Sequence, residues 1–416
     1  MKKNYFLGGI MIIAATIIGS GMLAIPIAGS GIWFYISTVS LVLSAFVMMT
    51  SGLFILEVNL HYPQGTGFNT VVKDILGSKW NFVTGICIVF VLYTLIYAYI
   101  TTGSSLIVNY FESSIKKIDV NIVRIGISVG FTLFFAFFIW ASTKLVDRFA
   151  TILVILLIIT FGFTVLETLP NVDVDMIVGS QPKNLLSLDY WQYLPILLPV
   201  CLASFGFHGN VPSLVKYFHG DAKKVKYSIC FGVMLALVVY FLWLLAAHGN
   251  IPRSLFQGIA DGQTDEVVEM LNLLSESING QKNIFKNIGQ LFSFLALTSS
   301  FLGVSLGLFD YFMDLFGLLE SWLGRLIAGI VTFLPPLIFS MIFPFGFTIA
   351  IGYVGLAASV WAVIVPALLV KRSRQKQSSN HYRVFGGNWM IYLVIGFGII
   401  NIISLLMVQF HLVEQF

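Results

Sequence analysis

Ala15-Thr16-Ile17-Ile18-Gly19-Ser20-Gly21-Met22-Leu23-Ala24-Ile25-Pro26 and Ala203-Ser204-Phe205-Gly206-Phe207-His208-Gly209-Asn210-Val211-Pro212-Ser213 are the two stretches that decide the fold. Each sits at the centre of an apolar run of about 29 residues, longer than a straight membrane crossing needs. Glycine costs a helix about 1 kcal/mol and proline about 3 relative to alanine. Backbone left unpaired in hydrocarbon costs several kcal/mol per group, so unwound chain survives at that depth only where it lines a cavity or is buried in protein. Either stretch alone fits a proline kink or close packing of small residues. Both together, at matching places in two halves of a chain, fit a pair of interrupted helices around a shared site.

The rest of the chain supports a membrane setting. Of 416 residues, 58% are hydrophobic and only 10% charged, and the mean hydropathy is +0.92. A soluble domain of this size cannot hide that much apolar surface. About eleven spans are expected, at roughly 6–35, 37–60, 80–111, 121–142, 147–168, 190–218, 226–248, 285–316, 325–344, 346–370 and 388–410. Breaks fall at Tyr62-Pro63-Gln64-Gly65, Lys116-Lys117, Asp147-Arg148, Lys223-Lys224-Val225-Lys226 and Lys371-Arg372-Ser373-Arg374-Gln375-Lys376. Met1-Lys2-Lys3 before an apolar run resembles a signal peptide, but the run continues past a signal's length, so a retained first span is expected. Most of the 23 Lys and Arg fall on the side of the N-terminus. That bias predicts the N-terminus in the cytoplasm and the C-terminus outside it, periplasmic in a bacterium. The net charge of +4 makes no case for a nucleic-acid partner; the lipid bilayer is the expected one. Cys87, Cys201 and Cys230 lie inside spans without CxxC spacing, so no redox or metal centre and no cofactor is expected. No HExxH motif is present to suggest a metalloenzyme.

Five spans separate the starts of the two interrupted segments, so the sixth span runs opposite to the first. The fold expected is an all-α membrane protein of the LeuT type, with 5+5 inverted repeats and broken helices 1 and 6. The first repeat would occupy 1–168 and the second 169–371, with a cytoplasmic loop and an eleventh helix in 372–416. Half-helix N-termini near Ser20-Gly21-Met22 present free N–H groups that suit a carboxylate. Half-helix C-termini near Ile17-Ile18 and Ser204-Phe205 present carbonyls that suit an ammonium or a cation. A zwitterionic amino acid satisfies both. Between spans 7 and 8, Val267, Val268, Met270, Leu271 and Leu274 beside Glu266, Glu269 and Glu276 predict an amphipathic helix at the outer mouth.

At these residues the chain resembles the hydroxy and aromatic amino acid permease family. The resemblance is carried by Gly19-Ser20-Gly21-Met22-Leu23-Ala24-Ile25-Pro26 and by Ser204 through Tyr217. Leu56-Glu57-Val58-Asn59-Leu60, Ala98-Tyr99-Ile100, Phe301 through Asp310 and Trp361 through Leu368 extend it over essentially the whole chain. It is closer to the tyrosine and tryptophan branch than to the serine and threonine branch. It implies a bacterial inner-membrane importer driven by an ion gradient, usually protons. The substrate implied is L-tyrosine first and L-tryptophan second, with L-phenylalanine also considered; a serine or threonine permease is a more remote alternative. The expected substrate site comprises Ile17, Gly19, Ser20, Gly21, Met22, Tyr97, Thr101, Thr102, Ser204, Phe205, Gly206, Phe207, His208 and Asn210. Glu57 and His208 are the candidate proton carriers, being ionisable groups inside spans. Asp310, toward the end of span 8, is either functional or interfacial. A sodium alternative stays open, through a site built from Ala14, Ile17, Leu295, Thr298 and Ser299, since hard cations take such oxygens.

Overall fold

The computed structural model describes residues 5–111, 120–141, 143–179, 188–259, 265–277, 282–318, 321–376, 382–413 and 416. Lys2, Lys3, Lys116 and Lys117, used above for boundaries and orientation, lie outside them. Among the described residues the chain is helical, with ten helices long and apolar enough to cross a membrane plus one bent pair that makes an eleventh span. The spans in order are Tyr5–Ile17 with Gly21–Ala28, Trp33–Asn59, Ser78–Tyr110, Val120–Ala141, Thr143–Thr168, and Leu194–Ser204 with Val211–Tyr217. Then follow Ala222–Asn250, Lys282–Leu315, Trp322–Ile342, Phe347–Lys376 and Gly387–Gln409. Both interruptions fall where the glycines and prolines put them. The halves of span 1 meet at 51°, and in span 6 non-helical chain at 205–207 and a short 3-10 turn, His208–Asn210, separate the two helices.

Each proline inside a span frees a carbonyl one turn back, because it has no N–H to donate. In span 10, Pro366 leaves the carbonyl of Ala362 without its helical donor. There the helix widens into a π-turn, Ser359–Ile364, and the Ser51 hydroxyl of span 2 donates to Ala362 instead. At the far end of span 1 the Pro26 carbonyl lies beyond the last helical N–H, and His248 Nε2 of span 7 meets it at 2.9 Å. The His248 ring stacks on Trp33, centroids 4.3 Å apart.

The two faces of the bundle differ. One carries the loop between spans 7 and 8, where Arg253–Ile259 and Glu266–Ser277 form two short helices; it is called here the cap face. The expected amphipathic helix is the second of these. Its Val267, Met270 and Leu274 are fully buried, packed on spans 1, 3 and 8. Arg253 seals the cap-face end of span 1, donating to the Gly31 carbonyl at 2.7 Å and the Ser30 carbonyl at 3.2 Å under the Phe416 ring. The opposite, basic face carries the lysine-rich loops.

Near the basic face, Glu57 of span 2 is buried and held by Arg374 at the end of span 10. Two parallel bonds of 2.7 and 2.8 Å join them, and the Val384 amide donates a third at 2.7 Å. This fork joins spans 2, 10 and the approach to span 11. Removing one partner strands a buried charge, which typically costs about 3–5 kcal/mol, whereas removing both costs less. Glu57→Ala and Arg374→Ala should each lower the thermal unfolding midpoint in detergent more than the double variant does. Strictly additive losses would show that the pair is not a stabilising unit.

Candidate functional site

Ile17 and Ser204 end the first halves of spans 1 and 6, so their carbonyls have no helical donor. A single side chain reaches both. The Tyr240 hydroxyl of span 7 lies 2.6 Å from the Ile17 carbonyl and 2.8 Å from that of Ser204, with the residue fully buried and its ring against Phe205. The Ser204 hydroxyl lies 3.0 Å from the Gly21 carbonyl and 2.8 Å from that of Val200 in its own helix, so it too can tie the breaks together. Gly21 is glycine because its chain passes against Ser204: a Cβ there would sit 3.0 Å from the Ser204 Cα. A Cβ on Gly19 would run into the Ser300 hydroxyl of span 8. Tyr99 of span 3 is buried with its phenol at the Ser20 and Ser300 hydroxyls. Spans 1, 3, 6, 7 and 8 thus converge on the two interruptions.

Of the residues expected at the site, Ile17, Gly19, Ser20, Gly21, Met22, Ser204, Phe205, Gly206, Phe207, His208 and Asn210 belong to the two interruptions or their edges. Gly206 differs from Gly21 in having almost free space, with only the Ala203 carbonyl 3.4 Å from a Cβ. His208 is buried between Phe207 and Trp361, and neither ring nitrogen has a hydrogen-bond partner among the described residues. Asn210 donates to the Thr16 hydroxyl at 2.6 Å. The three span-3 residues have their hydroxyls engaged elsewhere. Tyr97 donates to the carbonyl of Phe343, between spans 9 and 10, at 2.9 Å. Thr101 bonds its own helix at Ala98, and Thr102 donates to Asp265 of the cap at 2.8 Å.

Glu57 lies at the Arg374 fork, away from the interruptions. The sodium set is likewise engaged. Thr298 and Ser299 turn back to carbonyls of their own helix, Ala14 accepts from the Ile18 amide, and Ile17 accepts from Tyr240. Leu295 is buried, and its carbonyl lies 3.3 Å from the Thr298 hydroxyl. Asp310 is exposed at its place on span 8 and makes an interaction of its own. Sequence reasoning missed Tyr240 and Ser300, which sit in apolar or small-residue runs with no distinguishing pattern.

The chain matches the tryptophan/tyrosine permease family over residues 2–405. It belongs to that family. A tryptophan-specific transport protein of Haemophilus influenzae is 47% identical over 413 residues, covering 97% of this chain and 96% of the relative. The low affinity tryptophan permease of Escherichia coli K12 is 39% identical, covering all of this chain and 98% of the relative. A tyrosine permease of Enterobacter agglomerans is 38% identical, covering 99% and 97%. Among solved structures, MhsT in complex with L-phenylalanine superposes with a TM-score of 0.66 over 98% of both chains at 13% identity, which shows the shared LeuT-type fold. The chain is therefore a multi-pass transporter for aromatic amino acids and not an enzyme.

In this permease the two faces give unequal access to the interruptions. The cap-face half of span 1, Met22 to Pro26, is buried against spans 6, 7 and 10 and the cap helix. The other half packs extensively only on span 7, and Ala15, Thr16, Gly206 and Gly209 are exposed. Two carboxylates close the cap. Asp265 accepts from the Val267 and Val268 amides and from Thr102, while Glu266 accepts from the Thr348 amide at the start of span 10. Neither forms an ion pair among the described residues. Burial pushes both carboxyls above their ordinary values of 3.8 and 4.5, against the pull of these hydrogen bonds. A closed cap therefore holds its protons more tightly than an open, hydrated one. Closure is favoured most below those ordinary values and weakens as pH climbs through them towards the raised ones. Backbone amides of 266–277 should show stronger hydrogen-exchange protection at pH 5 than at pH 8 after correction for intrinsic rates, and Asp265→Asn/Glu266→Gln should flatten the difference. Equal wild-type protection at both pH values would refute a titrating closure.

Proposed function

We propose that this permease carries L-tryptophan, with L-tyrosine as the second substrate, into the cytoplasm of a bacterium together with protons. The observation that carries the reading is the convergence of two interrupted helices. The positive N-terminal end of the half-helix that starts at Gly21 suits the substrate carboxylate, and the Ile17 and Ser204 carbonyls suit its ammonium. The family resemblance read from the sequence puts tyrosine first. The relatives named for tryptophan at 39–47% identity, against 38% for the tyrosine permease, favour the reverse order. The basic face is cytoplasmic in this reading, as the distribution of lysine and arginine favours, so the described conformation is closed outside and open inside. The serine and threonine branch gains no support from these relatives.

Protons are favoured over sodium by the family resemblance, which implies proton coupling in most members. Of the two candidate carriers, Glu57 is committed to Arg374 and the Val384 amide in a bidentate, hydrogen-bonded pair. His208 lies buried in the span-6 interruption with both nitrogens unpartnered among the described residues, and an imidazole can take up and release a proton. His208 is accordingly the carrier in this reading, and the Glu57–Arg374 fork is structural.

In proteoliposomes, an imposed pH gradient in sodium-free buffer should accumulate labelled tryptophan, and unlabelled tryptophan should compete better than tyrosine or phenylalanine. His208→Gln should lose the response to the gradient while keeping tryptophan exchange. Accumulation that needs a sodium gradient, or equal competition by serine, would overturn the reading. Gly206→Leu should insert and fold but lose binding, because its side chain takes the free space beside the break.

A further inference from the structure

We propose that Tyr240 is the positioning residue of the substrate site: its hydroxyl holds the C-terminal ends of both broken helices together in the place a bound cation would otherwise occupy. Carbonyl ends of half-helices at membrane depth are where transporters of interrupted-helix design coordinate their ions. Here the two ends converge on one neutral O–H, at 2.6 Å from Ile17 and 2.8 Å from Ser204. The phenol is fully buried, and its ring is packed against Phe205 beside the second carbonyl. Two acceptors at such distances attract a common donor, and a cation or an O–H can fill that role; a phenol brings no net charge at neutral pH.

The stoichiometry of donors adds a second consequence. A tyrosine hydroxyl has one proton, so it can serve Ile17 or Ser204 at any instant but not both fully. The carbonyl left over keeps acceptor capacity for another donor, and the ammonium of an amino acid is the donor that the site is expected to receive. Tyr240 thus sets the spacing of the two ends while leaving one acceptor's worth of hydrogen bonding for the substrate. This inference deepens the proton-coupled reading above and rests on it for the claim that no cation is needed.

The test uses tryptophan counterflow in proteoliposomes at equal pH on both sides, in sodium chloride or choline chloride. Wild type should behave alike in both salts. Tyr240→Phe keeps the ring and removes the donor. It should raise the KM for tryptophan on the order of tenfold in both salts, because two buried carbonyls lose their tie. Tyr240→Ser opens room beside the same carbonyls, and sodium should restore several-fold of the activity that choline leaves missing. Monodisperse elution and a tryptophan-induced rise in melting temperature at high ligand concentration would show that each variant is folded. Wild-type KM in Tyr240→Phe overturns the positioning role whichever ion drives transport. Equal activity of Tyr240→Ser in both salts overturns the substitution for a cation. Sodium-stimulated counterflow by the wild-type chain would instead sink the proton reading, and it would show in the wild-type arm alone.

Discussion

A carbonyl at the end of a helix fragment, placed where no water can reach it, has to find a donor, and this requirement organises the centre of the molecule. The Ile17 and Ser204 carbonyls find Tyr240. Gly21 finds the Ser204 hydroxyl, Pro26 finds His248, and Ala362 finds Ser51. Each donor comes from a different span than its acceptor. Interrupting two helices therefore does more than open a site. It obliges spans 2, 6 and 7 to present polar groups at defined depths, and those cross-links fix how the interrupted spans sit in the bundle.

The same accounting separates the two faces. On the cap face, Arg253 on Ser30 and Gly31, and Asp265 and Glu266 on Thr102 and Thr348, tie the loop helices to spans 1, 3 and 10. These are side-chain bonds across elements that can separate as units. On the basic face the fork of Glu57 with Arg374 lies between spans 2 and 10, and the first half of span 1 rests mainly on span 7, with one bond from Asn210 to Thr16. An opening on that face would leave the fork intact, whereas an opening on the cap face must break the carboxylate bonds one by one.

Much of the fold was legible in the residues because it rests on one-dimensional signals. Apolar runs of span length, glycine and proline at two run centres, and a parity argument about crossings were enough for eleven spans and two broken ones. The interruptions' own residues were legible for the same reason, since a break announces its position. What could not be read was which side chains from unbroken helices reach the break. Thr102 and Tyr97 sit on the right span but spend their hydroxyls on Asp265 and Phe343, a choice set by the cap and by the linker before span 10. Tyr240 lies in Val238-Val239-Tyr240-Phe241, where nothing separates it from an ordinary lipid-facing tyrosine. Glu57 was visible as a buried acid, but its Arg374 partner is 317 residues away, beyond any local pattern.

That separation bears on how the chain is made. At synthesis rates of about 5–20 residues per second, Arg374 follows Glu57 out of the ribosome by roughly 15–60 seconds. During that interval span 2 carries an acidic side chain whose eventual counter-charge does not yet exist. Its position near the end of the span lets the carboxylate reach the hydrated headgroup region while it waits. Biogenesis thus has a late step in which span 10 arrives, the carboxylate is drawn in, and the last part of the chain docks around Val384. Truncation before that point would leave a bundle with its early spans inserted and its basic end unfastened, a natural substrate for membrane quality control.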